Sequence, residues 1–77
     1  MSERILHAMA MSRTEKAIGF LNELIAKEPL RTASMAVRAL AMHRRDSRIT
    51  AMVEANLEAR PELAAVIRDS FNRSTLE

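Results

Sequence analysis

Apolar residues recur along this chain at the spacing of one helix face, in five successive stretches. The first predicts a helix from Glu3 to about Met11, with Ser2 as its N-cap. A second is expected to start at Ser12, because Ser12 and Glu15 have the spacing of a capping box. Its apolar face is Ala17, Ile18, Leu21, Leu24 and Ile25. Pro29 ends it, since proline lacks a donor and restricts the residue before it. The same proline suits the first turn of a third helix. That helix places Ala33, Ala36, Val37 and Leu40 on one stripe and closes on His43, Arg44 and Arg45, cations that favour a helix C-terminus. Asp46 or Ser47 caps a fourth helix, expected to bury Ile49, Met52, Val53 and Leu57. Pro61 opens a fifth, with Leu63, Val66, Ile67 and Phe71 as its stripe. Connections of about two to four residues predict antiparallel helical hairpins.

The chain also resembles itself. Shifted by 31 residues, Ala8 meets Ala39, Ala10 meets Ala41, Met11 meets Met42 and Arg13 meets Arg44. Ile18 then meets Ile49 and Glu23 meets Glu54, with Leu6 on Val37, Met9 on Leu40 and Glu15 on Asp46 as conservative matches. One inserted residue later Pro29 falls on Pro61. A helix-pair repeat of this length marks an α-solenoid.

The stretch Ala36-Val37-Arg38-Ala39-Leu40-Ala41-Met42-His43-Arg44-Arg45-Asp46 and its earlier echo Leu6-His7-Ala8-Met9-Ala10-Met11-Ser12-Arg13 resemble HEAT-like repeats in their short bacterial form. The resemblance covers nearly the whole chain on small and apolar spacings. It implies an all-α fold of about five helices, with antiparallel pairs stacked as an α-α superhelix, and a role in binding another macromolecule. It transfers no catalytic residue. The expected organisation is one helical-repeat domain over 1–75, a piece of a longer solenoid, followed by Leu76-Glu77, which looks like an expression-tag remnant.

Composition narrows the function classes. With 77 residues the chain holds at most one domain, and such a domain buries only about 60% of the surface its unfolded chain exposes. There is no Cys, so disulfides and thiolate metal sites are excluded. No run of 18 apolar residues spans a membrane, and no signal-peptide pattern opens the sequence, so a cytoplasmic location with no membrane partner is expected. Twelve Lys and Arg oppose ten Asp and Glu, a net charge of +2 that attracts polyanions only where the basic residues cluster.

No constellation for catalysis stands out. Gly19 is alone, so there is no phosphate loop, and no Gly-x-Ser-x-Gly elbow occurs. His7 and His43 are far apart in sequence and read as surface or helix-end residues. A non-enzymatic chain without metal or cofactor is the expectation. Gly19 reads as a site of close helix packing or of mere tolerance, rather than of close approach by a partner backbone. Met9, Met42 and Met52 read as core filling, while Met11 and Met35 are the methionines open to exposure.

Phe20 sits on the flank of the second helix, where a large aromatic must meet a neighbouring repeat or a partner. In HEAT-like stacks the second helix of each pair lines the concave surface. By that resemblance Lys16, Phe20, Glu23 and Lys27, with Glu54 and Glu58, would form a surface for a protein partner. The rival is a nucleic-acid-binding module using the corner arginines Arg13, Arg44, Arg45 and Arg48 to contact phosphates. Asp46 among them and the lack of Tyr and Trp weigh against it. A third reading is a small regulatory bundle, a homo-dimer formed through exposed solenoid ends.

Overall fold

In the computed structural model, which describes residues 3–71, five α-helices follow one another and no strand occurs among the described residues. They are α1 (Glu3–Ser12), α2 (Glu15–Lys27), α3 (Leu30–Leu40), α4 (Ser47–Ala55) and α5 (Ala64–Phe71). Single 3-10 turns over Ala41–His43 and Pro61–Leu63 extend α3 and lead into α5. The expected all-α class is therefore the observed one. The Ser2 cap and the Leu76-Glu77 remnant lie outside the described residues.

Each boundary has a local cause. Thr14, in extended backbone, accepts a hydrogen bond from the Ala17 N–H on its Oγ1 at 3.1 Å and so opens α2. This corrects the capping box expected at Ser12. Ser12 instead ends α1, donating from Oγ to the Met9 carbonyl at 2.7 Å. Between them Arg13 adopts a left-handed φ of 54°, with its N–H on the Ala10 carbonyl at 3.2 Å. That single residue reverses the chain. Pro29 stands at the N-cap of α3, and Asp46 caps α4 as expected, accepting from the Arg48 N–H at 3.0 Å.

The stripes meet in one core. Leu6, Leu21, Ile25, Val37, Leu40, Val53 and Leu63 are fully enclosed. The third helix is the centre: it packs on α1, α2 and α5 and buries Ala33, Ala36, Val37, Ala39 and Leu40. Four of these five are alanine or valine, small enough to let neighbouring helices approach closely. The fourth helix lies at the edge, against α2 and α5, and buries only Ile49 and Val53. Met52 and Leu57, expected in its core, are half-buried.

Polar bonds join the two hairpins at residues 32 to 35 apart in sequence. An Arg13 guanidinium nitrogen donates to Asp46 Oδ2 at 2.6 Å, and His43 Nε2 meets the Ala10 carbonyl at 2.8 Å. Asn56 Nδ2 donates to Asn22 Oδ1 at 2.9 Å. Arg60 donates one nitrogen to the carbonyls of Ile25, at 2.8 Å, and Glu28. It thereby supplies charged donors to the C-terminal end of α2, where carbonyls lack helical partners. Corner meets corner, so the first hairpin lies beside the second.

Candidate functional site

Two open grooves flank α2. One, of about 420 Å³, runs between α2 and α4. Its floor is Ile18 and Gly19 from α2 with Ile49 and Met52 from α4, and its end is closed by the corner of Arg13 and Asp46. The corner is held by charge. Asp46 is 14% exposed, binds Arg13 directly and lies 3.9 Å from Arg48 Nε. The Arg13 hydrogen bond, then that of the Arg48 backbone N–H, holds the Asp46 carboxyl below its usual range. Of the two expectations for Gly19, close helix packing is not met, whereas tolerance fits the open space beside it. A methyl group at this position would meet nothing within 4 Å, so Gly19 widens the groove.

The second groove, of about 670 Å³, lies between α1 and α2. Ile5, Ala8 and Met9 form one wall, Ala17 and Phe20 the other, with Lys16 at the corner. Ile5 is 54% exposed and Phe20 37%. Both fall on the outer side of their helices, because the inner stripes Leu6 and Ala10, and Leu21 and Ile25, already face the core.

The sequence-predicted residues divide between these places. Lys16, Phe20, Glu23 and Lys27 all lie exposed on α2, and Lys16 and Phe20 share the α1–α2 groove. Phe20 is not among the residues that line the α2–α4 groove. Glu54 is exposed near the end of α4, and Glu58 lies in the turn beyond that helix, not on it. Of the corner arginines, Arg13 and Arg48 gather on Asp46. Arg44 is half-buried and reaches back from a terminal nitrogen to the Ala41 carbonyl at 3.4 Å, while its Nε is buried with no partner. Arg45 is exposed. The sequence reading missed Ile5 as a groove wall; its signal was an apolar residue one step off the Leu6 stripe.

Among the described residues no group of three His, Asp or Glu is placed to hold a metal ion. His7 is exposed, and the ring of His43 is engaged with a backbone carbonyl. No helix among the described residues is long and apolar enough to cross a membrane.

No family model matches the chain, and neither a curated protein nor a solved structure matches it.

Proposed function

We propose that this chain is a non-enzymatic, cytoplasmic helical-repeat scaffold that binds a protein partner through the exposed surface of α2. The observation that carries the reading is the α1–α2 groove, where Ile5 and Phe20 stand exposed beside Met9 and Lys16. Contiguous exposed apolar surface rimmed by polar groups is characteristic of interfaces. Phe20 is the anchor, since aromatic side chains dominate the energy of small interfaces. Lys16, Glu23 and Lys27 along α2, with Glu54 and Glu58 further off, make the rim that selects the partner by charge. Two features support the HEAT-like reading behind this: the 31-residue self-similarity and the corner-to-corner bonds between hairpins.

The test is affinity capture with the wild-type chain and with Phe20→Asp, each shown to be folded by circular dichroism. A protein held by the first and lost by the second is the expected result. Identical captures by the two would refute the reading. Binding to duplex DNA that weakens steeply with salt and is lost in Arg45→Glu/Arg48→Glu would favour the polyanion alternative. That alternative draws less support, because Asp46 already neutralises part of the corner. A solution mass of twice the chain that falls to one chain in Phe20→Asp would favour the dimerising bundle.

A further inference from the structure

The exposed face of α2 is complementary to itself. Lys16, Gly19, Phe20, Glu23 and Lys27 are all exposed, and at helical spacing they fall within an arc of about 100°. Away from that arc, Ala17, Leu21, Leu24 and Ile25 are buried. Lys16 and Glu23 lie equally far along the sequence from the midpoint between Gly19 and Phe20. An antiparallel copy of α2, turned about a two-fold axis through that midpoint, sets each Lys16 against the other copy's Glu23. The same operation sets each Phe20 against the other copy's Gly19.

Shape and charge agree on this pairing. Phe20 is 37% exposed, whereas Phe71 is buried. Gly19 has open space beside it and belongs to the floor of the α2–α4 groove, with Ile18, Ile49 and Met52. A ring laid over Gly19 therefore lands on apolar surface. Among the described residues neither Lys16 nor Glu23 is in an ion pair, so both charges stay available to a second chain. Sliding the antiparallel copy by one helical turn sets Lys16 against Lys27 and Phe20 against Glu23. A parallel copy in register sets each lysine against its own equivalent. Like charges disfavour both arrangements.

We propose that the protein bound by α2 is a second copy of this chain, paired antiparallel about a two-fold axis between Gly19 and Phe20. Phe20 of each copy seats in the α2–α4 groove of the other, and two Lys16–Glu23 pairs flank the rings. The interface is isologous, so every contact is made twice. It runs along the side of α2 and not through the ends of the helix stack. The inference rests on the reading of α2 as a protein-binding surface and names the protein. One helix face covers less than the roughly 1,200 Å² of a standard interface, so the dimer is weak, with a dissociation constant of about 100 µM.

Sedimentation equilibrium of the full chain, up to about 1 mM, tests the pairing. The proteins are wild type, Gly19→Gln, Lys16→Glu, Glu23→Lys and the double reversal Lys16→Glu/Glu23→Lys, each verified by circular dichroism to be folded. Wild type is expected to dimerise. Gly19→Gln keeps a good helix former but fills the seat of the ring, and is expected to weaken the dimer at least about tenfold. Each single reversal opposes like charges twice and should weaken it about as much. The double reversal should dimerise like wild type. So should an equimolar mixture of the two single variants, in which all four charges are again matched. A wild type monomeric at about 1 mM would overturn the proposal. So would a dimer indifferent to these changes, as one joined through the ends of the stack would be, or a mixture that stays monomeric. If the wild type is monomeric but captures another protein that Phe20→Asp loses, only this inference falls. If it is monomeric and the two captures are identical, the reading of α2 falls with it.

Discussion

The first hairpin, α1–α2, and the second, α3–α4, match in sequence yet use their matched residues differently. Met9 and Leu40 align under the 31-residue shift, but Met9 is half-buried and Leu40 is fully enclosed. Ala8 is exposed where its counterpart Ala39 is 2% exposed. Arg13 turns the first corner with a left-handed backbone, while Arg44 stays in the right-handed helical region at a φ of −62°. The cause is neighbourhood. The third helix packs substantially on three other helices, whereas α1 packs chiefly on α2 and α3. Matched apolar spacing sets which residues are able to face inwards. How deeply each is buried depends on what lies on the other side.

The largest expected effect breaks this comparison at its sharpest point. Leu40→Ala should destabilise the fold by about 3 kcal/mol, since it leaves a cavity between three helices. The equivalent change Met9→Ala should cost about 1 kcal/mol, because that side chain is already half in solvent. Denaturant unfolding of both variants measures the difference, and equal losses would mean that the hairpins are equally covered. Arg60→Ala comes next, with a loss of about 2 kcal/mol for two charge-assisted bonds to backbone carbonyls at the end of α2. Lysine at 60 should restore only part of it, because it offers one donor nitrogen to the carbonyls but no second one for Glu62, which the Arg60 Nε holds at 3.1 Å.

The acid limb of the stability profile sharpens the corner contrast. The Asp46 carboxyl is depressed by Arg13, and that of Glu62 first by its own backbone N–H and then by Arg60. A depressed carboxylate contributes stability above its ordinary pKa and loses it as pH falls through the depressed value. Melting temperature should therefore drop as pH is lowered below about 4. Asp46→Asn should flatten part of that drop. Three smaller effects follow. Gly19→Ala should stabilise by about 1 kcal/mol, since helix propensity improves and no atom stands in the way. Arg13→Gly should be nearly neutral, because relief of the left-handed backbone, about 1 kcal/mol, offsets the lost bond to Asp46. Arg44→Gly, from a right-handed residue, should destabilise by about 1 kcal/mol.

Most of the helices were legible because their cores repeat at helical spacing and because Pro29 and Pro61 punctuate them. Ala33, Ala36, Val37 and Leu40 read directly as the buried face of α3. The cap at Asp46 was legible too. The cap at Thr14 was not, since Ser12 offers the same hydroxyl two residues earlier; what separates them is the left-handed turn at Arg13. Arg60, His43 and Asn56 act on backbone or side chains more than thirty residues away, and no local pattern signals such bonds. At the candidate surfaces, Phe20 and Lys16 were legible as exposed residues of one helix. The groove they share required knowing that α1 brings Ile5 and Met9 alongside.

The account rests on the first hairpin lying corner to corner beside the second. Nuclear Overhauser contacts in solution test that directly. The account predicts cross-peaks between the His43 ring and Ala10 and between the side-chain amides of Asn22 and Asn56. Assigned spectra lacking both, in a folded sample, would contradict it.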